Sequence, residues 1–133
     1  MNSISVKTDF GQAIGFFSSN STSLICHELT KSDFGFEHID CVLADLGNTV
    51  GEAPGAFLSN LEVDPVFWGQ GHGVELLNCF LTAARDHGAR VVILVCDLDR
   101  TQRNGFRLSE FYARAGFNGL ESFDELGVMV KVL

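Results

Sequence analysis

The stretch from Leu58 to Leu77, LSNLEVDPVFWGQGHGVELL, constrains this chain more than any other. Its alternating apolar start, Leu58 to Val63, reads as a strand. Asp64 and Pro65 end it, because proline cannot continue a central ladder. Gly69, Gly71 and Gly73 follow at every second residue and lead directly into a helical pattern. Without side chains in the way, backbone amides there can crowd together and face outward. The start of a helix adds unpaired amides and a partial positive charge. Strand, glycine loop and helix together make a seat for phosphate.

Other phosphate loops differ from this one. A P-loop ends in Gly-Lys-Ser/Thr, and none is present. A dinucleotide fingerprint counted from Gly71 would need a third glycine where Leu76 stands. A Val-x-Pro strand end followed by G-x-G-x-G and a leucine-rich helix resembles motif A of the GNAT superfamily, the acyl-CoA-dependent N-acetyltransferases. Val63, Pro65, Gly69, Gly71, Gly73, Leu76 and Leu77 match that pattern. Trp68 stands where the family usually has Arg or Gln. The resemblance implies that the loop residues Trp68, Gly69, Gln70, Gly71, His72, Gly73 and Val74 hold the pyrophosphate of acetyl-CoA. His72, between two loop glycines, reads either as a phosphate neighbour or as an ordinary exposed loop residue.

The chain has 133 residues, enough for a single domain with its own core. At 46% hydrophobic and 20% charged residues it reads as a globular, soluble protein. No apolar run is long enough to span a bilayer and no signal peptide is evident, so a cytoplasmic location is the default expectation. A net charge of −8 with scattered Lys and Arg excludes a basic nucleic-acid-binding face and suits a cationic amine acceptor. Cys26, Cys41, Cys79 and Cys96 form no C-x-x-C pair, so they read as buried free thiols, with no metal expected. Asp97 and Asp99 lack the further oxygen ligands of a calcium site.

Taken in order, residues 1–8, 13–17, 23–29 and 39–46 read as strands, with turns or loops between them. No helical period precedes Gly69. Residues 56–63 form the central strand. Its period of two puts Phe57, Ser59, Leu61 and Val63 on one face and Leu58, Asn60 and Glu62 on the other. Gly69 to His87 reads as a helix with Val74, Leu77, Leu81 and Ala84 at helical spacing, stopped by Gly88. Arg90 to Cys96 is a continuous apolar strand, which completes a parallel strand–helix–strand crossover. Leu108, Phe111, Tyr112 and Ala115 mark a second helix running up to Gly116, and residues 128–133 a last strand.

The segment Phe111-Tyr112-Ala113-Arg114-Ala115-Gly116-Phe117 resembles GNAT motif B, in which a Tyr on the last helix precedes Gly-Phe. In that family the hydroxyl reaches the acetyl-CoA sulfur and protonates the departing thiolate. A phenol, with a pKa of about 10, stays protonated at neutral pH and can act as that acid; a core aromatic with a wet tip is the other reading of Tyr112. The family often carries an Asn on the cofactor arm; Asn104 lies one residue from that place. The resemblance further implies that the pantetheine arm bonds main-chain groups near Leu61 and Val63, in a gap where two strands part. Glu62 is the candidate base, through water; a solvated strand glutamate is its bland alternative. Ser59 and Asn60 read either as lining the acceptor slot or as satisfied core polar groups.

The expected architecture is α/β (α+β): a GNAT-like mixed, mostly antiparallel twisted sheet with a parallel strand–helix–strand crossover in the middle and a reduced N-terminal helical part. The expected function is transfer of acetyl from acetyl-CoA to a primary amine, on a small cationic amine or a peptide or protein. The alternative is a non-catalytic acyl-CoA-binding or regulatory module. Exposed sheet edges tend to pair, so a homodimer is a further expectation.

Overall fold

The computed structural model describes residues 2–21, 53–95, 108–119 and 128–133. Six strands form one mixed sheet in the order β1-β2-β3-β4-β6-β5. They are β1 (Asn2–Thr8), β2 (Gly11–Ser18), β3 (Gly55–Val63), β4 (Val91–Val95), β5 (Asn118–Gly119) and β6 (Val128–Val132). Among the described residues two helical spans accompany them, α1 (His72–Asp86) and α2 (Leu108–Arg114), and Ser21 is also helical. Only β3 and β4 pair in parallel; the other neighbours run antiparallel. The strands expected over 23–29 and 39–46, Asn104, and the other three cysteines lie outside the described residues, as does the region where a reduced helical part would show.

Helix α1 lays its buried stripe, Leu76, Leu77, Phe80, Leu81 and Ala84, against Ile4, Ala13, Ala56 and Leu58 of the sheet. Burying each such large aliphatic or aromatic side chain contributes roughly 1.5–3 kcal/mol. Phe80 is fully buried, and Gly15 makes the room for it. A Cβ on Gly15 would stand 2.7 Å from the Phe80 ring and 2.0 Å from the Phe57 carbonyl oxygen. Val74 does not join this stripe. It stands at its margin in the first turn and is 51% exposed.

Strand β3 departs from simple alternation. Ile14 pairs with Asn60 but Gly15 pairs with Leu58, so Ser59 is an inserted residue, a β-bulge. Its hydroxyl donates to the Ile14 carbonyl at 3.0 Å. The bulge reverses the side-chain order along the strand. Ala56 and Leu58 lie in the α1 core, and beyond the bulge Leu61 and Val63 pack against that same core. Phe57 is therefore on the opposite face from Leu61 and Val63, and Leu58 on the opposite face from Asn60 and Glu62. This corrects the faces expected from a period of two. Ser59 and Asn60 are exposed among the described residues.

Both helices end in the same way. In α1 the Gly88 amide donates to the Arg85 carbonyl and the Ala89 amide to that of Ala84. In α2 the Gly116 amide donates to Ala113 and the Phe117 amide to Tyr112. Gly88 and Gly116 have φ of 99° and 98°. Each is a Schellman cap, which needs a residue at positive φ and so favours glycine. The Lys131 ammonium on β6 adds a hydrogen bond of 2.8 Å to the Ala115 carbonyl at the end of α2.

Candidate coenzyme and acyl-transfer site

The chain leaves β3 through a 3-10 turn, Pro65–Phe67, before α1 begins. The helix starts at His72, three residues later than the periodicity predicts. Gly69 and Gly71 have φ of 80° and 82°, in the left-handed region, and Gly71 is the N-cap. Helical pairing cannot begin until the chain has left that region. The Trp68 amide donates to the Pro65 carbonyl, and the Glu75 amide to that of Gly71. Between them, the amides of Gly69, Gln70, Gly71, His72, Gly73 and Val74 make no hydrogen bond to the described residues. The last three are the unpaired first-turn donors of α1, where the helix dipole favours negative charge. No atom of the described residues lies within 4 Å of where a Cβ on Gly69 or Gly71 would stand. This is open space edged by main-chain donors.

An aromatic cluster holds this loop. Phe10, at the tip of the β1–β2 hairpin, stacks on the His72 ring with centroids 3.6 Å apart and planes 12° from parallel. Phe67 meets both rings edge-on, at 5.0 and 5.8 Å. The Asp64 amide donates to the Phe10 carbonyl at 2.8 Å. His72 Nδ1 lies 3.4 Å from the Glu75 carboxylate. The His72 ring is thus packed beneath the loop, with its side chain 15% exposed. A shallow cleft of about 270 Å³ borders the cluster, between Thr8, Asp9 and Phe10 on one side and His72, Glu75, Leu76 and Cys79 on the other. Cys79 is exposed, not buried as expected. The helix turns it away from the stripe that faces the sheet.

Beside the loop the sheet opens. Strands β3 and β4 pair only at Gly55–Val91, Ala56–Val92 and Phe57–Ile93. Beyond Phe57, β3 turns away, while Leu94 and Val95 stay with β6. The bond from Asp64 to Phe10 fixes which groups of β3 face this opening. Main-chain groups of an antiparallel strand alternate in direction. With Gly11 opposite Val63 and Ala13 opposite Leu61, the amides and carbonyls of Glu62 and Asn60 point to β2. Those of Leu61 and Val63 point into the opening. The Val63 carbonyl already accepts the Trp68 indole N–H at 2.7 Å. The Glu62 side chain is exposed, on the face away from α1.

Helix α2 reaches the same loop. A Cβ on Gly73 would meet the Phe111 ring at 3.6 Å and the Val63 side chain at 3.9 Å. Phe111 therefore packs on the first turn of α1, where the Val63 side chain also lies close. Its neighbour Tyr112 is 6% exposed. The Tyr112 ring lies edge-on to Phe111 at 5.2 Å and to Phe117 at 5.7 Å. The Schellman cap at Gly116 turns the chain so that Phe117 folds back on Tyr112. That is the physical sense of a Tyr placed just ahead of Gly-Phe.

Comparison with known families places the chain. The model of the acetyltransferase (GNAT) family matches residues 7–117. The chain belongs to the GNAT family. No curated protein sequence matches it. A mosquito arylalkylamine N-acetyltransferase-like protein (like 5b) superposes with a TM-score of 0.56 and 15% identity, covering 93% of this chain and 68% of its own. The apo form of an agmatine N-acetyltransferase mutant gives 0.53 and 17%, covering 93% and 69%. At such identities the likeness shows a shared fold, a six-stranded mixed sheet with few helices.

Within this GNAT chain the two motifs named from sequence meet through Phe111, between Gly73 and Tyr112. Sequence reasoning missed Phe10, Phe67 and Phe111 as supports of the loop. An aromatic at a two-residue hairpin tip was the available signal for Phe10, but its partner lies far along the chain.

Proposed function

We propose that this GNAT protein is an N-acetyltransferase that moves an acetyl group from acetyl-CoA directly to a primary amine. The observation that carries the reading is the run of free amides from Gly69 to Val74, set beside the opening between β3 and β4. Six donors at a helix N-terminus, with open space before them, fit the pyrophosphate of coenzyme A. Outward-facing main-chain groups of Leu61 and Val63 fit an amide-bearing arm. The first turn carries one acid, Glu75, and His72 lies within reach of its carboxylate.

When bound, acetyl-CoA supplies the thioester. A nitrogen–carbon bond forms as the carbon–sulfur bond breaks, the amine loses a proton and the thiolate gains one. Tyr112 is the proposed proton donor to sulfur, its ring held by Phe111 and Phe117. Glu62, exposed beside Gln12 across the ladder, is the proposed acceptor of the amine proton through water. Main-chain amides at the end of β3 steady the developing negative oxygen. Asn104 is a further proposed contact to the arm. The acidic chain, at −8, favours a cationic acceptor. Both structural neighbours are named for amines, an arylalkylamine and agmatine, which supports that class of acceptor. Among the described strands β1 and β5 stand at the edges of the sheet, and such edges favour a homodimer.

Two measurements test this reading. Acetyl-CoA should raise the melting temperature, and a thiol-release assay should show turnover with at least one member of a panel of polyamines, arylalkylamines and peptide amines. Stabilisation without thiol release across the panel would make the protein an acyl-CoA-binding module. Absence of stabilisation by any acyl-CoA would remove both.

A further inference from the structure

The side chain that departs from the family pattern has a definite place. Trp68 sits at the junction between the 3-10 turn and the free amides. Its backbone amide is spent on Pro65 at 3.2 Å, and its indole N–H donates to the Val63 carbonyl at 2.7 Å. Two bonds from one residue therefore close the turn at both levels, main chain and side chain. Val63 is the last residue of β3, and its carbonyl is one of the groups that face the opening between β3 and β4. The ring itself remains 48% exposed. It is not a core aromatic held by packing on all sides; the indole bond is its directional anchor.

We infer that Trp68 is the positioning residue of the glycine loop, tying the free amides to the end of β3 through its indole N–H. This rests on the coenzyme reading above. An Arg or Gln at this place has polar atoms to offer a ligand directly. A tryptophan has one donor, and here it is turned inward. The loop keeps its amides and gains a strut. The strut also takes up the Val63 carbonyl, so the arm of coenzyme A is left the Val63 amide and both main-chain groups of Leu61. Affinity at this site then depends on a side chain that acts through the loop instead of touching phosphate.

The chain holds one tryptophan, so the indole N–H gives a single, assignable proton resonance. In the free protein this proton should exchange slowly with water and show a small temperature coefficient. Trp68→Phe keeps the ring and removes the donor. It should fold with nearly the same melting temperature, because the position is half-exposed. It should weaken coenzyme A binding, measured by calorimetry, by about 3- to 10-fold, as expected for the net loss of one hydrogen bond. The KM for acetyl-CoA should rise with it, while kcat at saturation stays unchanged. Trp68→Ala should bind no more weakly than about twofold below Trp68→Phe, since the donor and not the ring sets the effect. An indole proton that exchanges at the solvent rate overturns the inference. So does a Phe variant that binds coenzyme A as tightly as the natural chain. If the natural chain itself fails to bind coenzyme A, the coenzyme reading falls, and this role with it; a natural chain that binds, with Trp68→Phe binding equally well, sinks only the strut.

Discussion

Gly71 and Gly73 stand two residues apart in the same motif, yet the structure assigns them opposite responses to alanine. Gly71 has φ of 82° with empty space around its would-be Cβ, so only the backbone opposes a side chain there. Holding an L-residue in the left-handed region costs roughly 1–2 kcal/mol, and the restricted unfolded chain returns part of it. The net loss for Gly71→Ala is about 1 kcal/mol. Gly73 lies inside α1, and its Cβ would meet Phe111 and Val63 at ordinary contact distances of 3.6 and 3.9 Å. Gly73→Ala should therefore stabilise, by up to about 0.5–1 kcal/mol, the usual difference between the two residues in a helix. At roughly 2.1 cal/mol/K per residue, a chain of 133 residues has an unfolding entropy near 280 cal/mol/K. One kcal/mol then moves the melting temperature by about 3–4 °C. Scanning calorimetry on the two variants should show Gly71→Ala lower by that amount and Gly73→Ala raised by 1–3 °C. Two equal drops would refute the distinction between a conformational glycine and a helical one. An unchanged Gly71→Ala would show that the loop does not need its left-handed turn.

Further variants test the rest of the site. Tyr112→Phe should lower turnover at least tenfold and leave the calorimetric affinity for acetyl-CoA within twofold, and unchanged turnover would remove Tyr112 as the acid. Gly15→Ala drives a methyl against the Phe57 carbonyl and the Phe80 ring, so chemical denaturation should report a loss of about 3 kcal/mol or more. Phe10→Ala removes the ring stacked on His72; it should weaken coenzyme A binding severalfold in the same calorimetric titration, because the loop loses its support from the hairpin. Lys131→Met removes the bond to the Ala115 carbonyl at the end of α2 and should cost about 1 kcal/mol in urea denaturation.

Much of the architecture was legible because its signals are local. Alternation marked β1, β2 and β3, a continuous apolar run marked β4, and helical spacing with a terminal glycine marked α1 and α2. The free amides were legible for the same reason, since closely spaced glycines at the start of a helix leave few other arrangements. What escaped depends on partners distant in sequence. The Ser59 bulge is invisible along β3 alone; it shows only in the register against β2. Phe10 reads as a hairpin residue until the fold brings it onto His72. Trp68 read as the loss of a polar side chain, because sequence cannot show which way an indole N–H points. Val74 was placed by period and Cys79 by the usual burial of free thiols, but the first turn of a helix and its outer face lie beyond the sheet that would bury them.

The bulge at Ser59 decides which way the rest of β3 faces. Without the bulge, strict alternation from Leu58 at the same length would rotate everything after it by half a turn. Glu62 would then be driven into the apolar layer under α1, Leu61 and Val63 would be thrust into water, and the strand edge that now confronts the opening would confront β2 instead. Deleting Ser59 would instead take away the extra residue and leave Leu61 and Val63 on the α1 face.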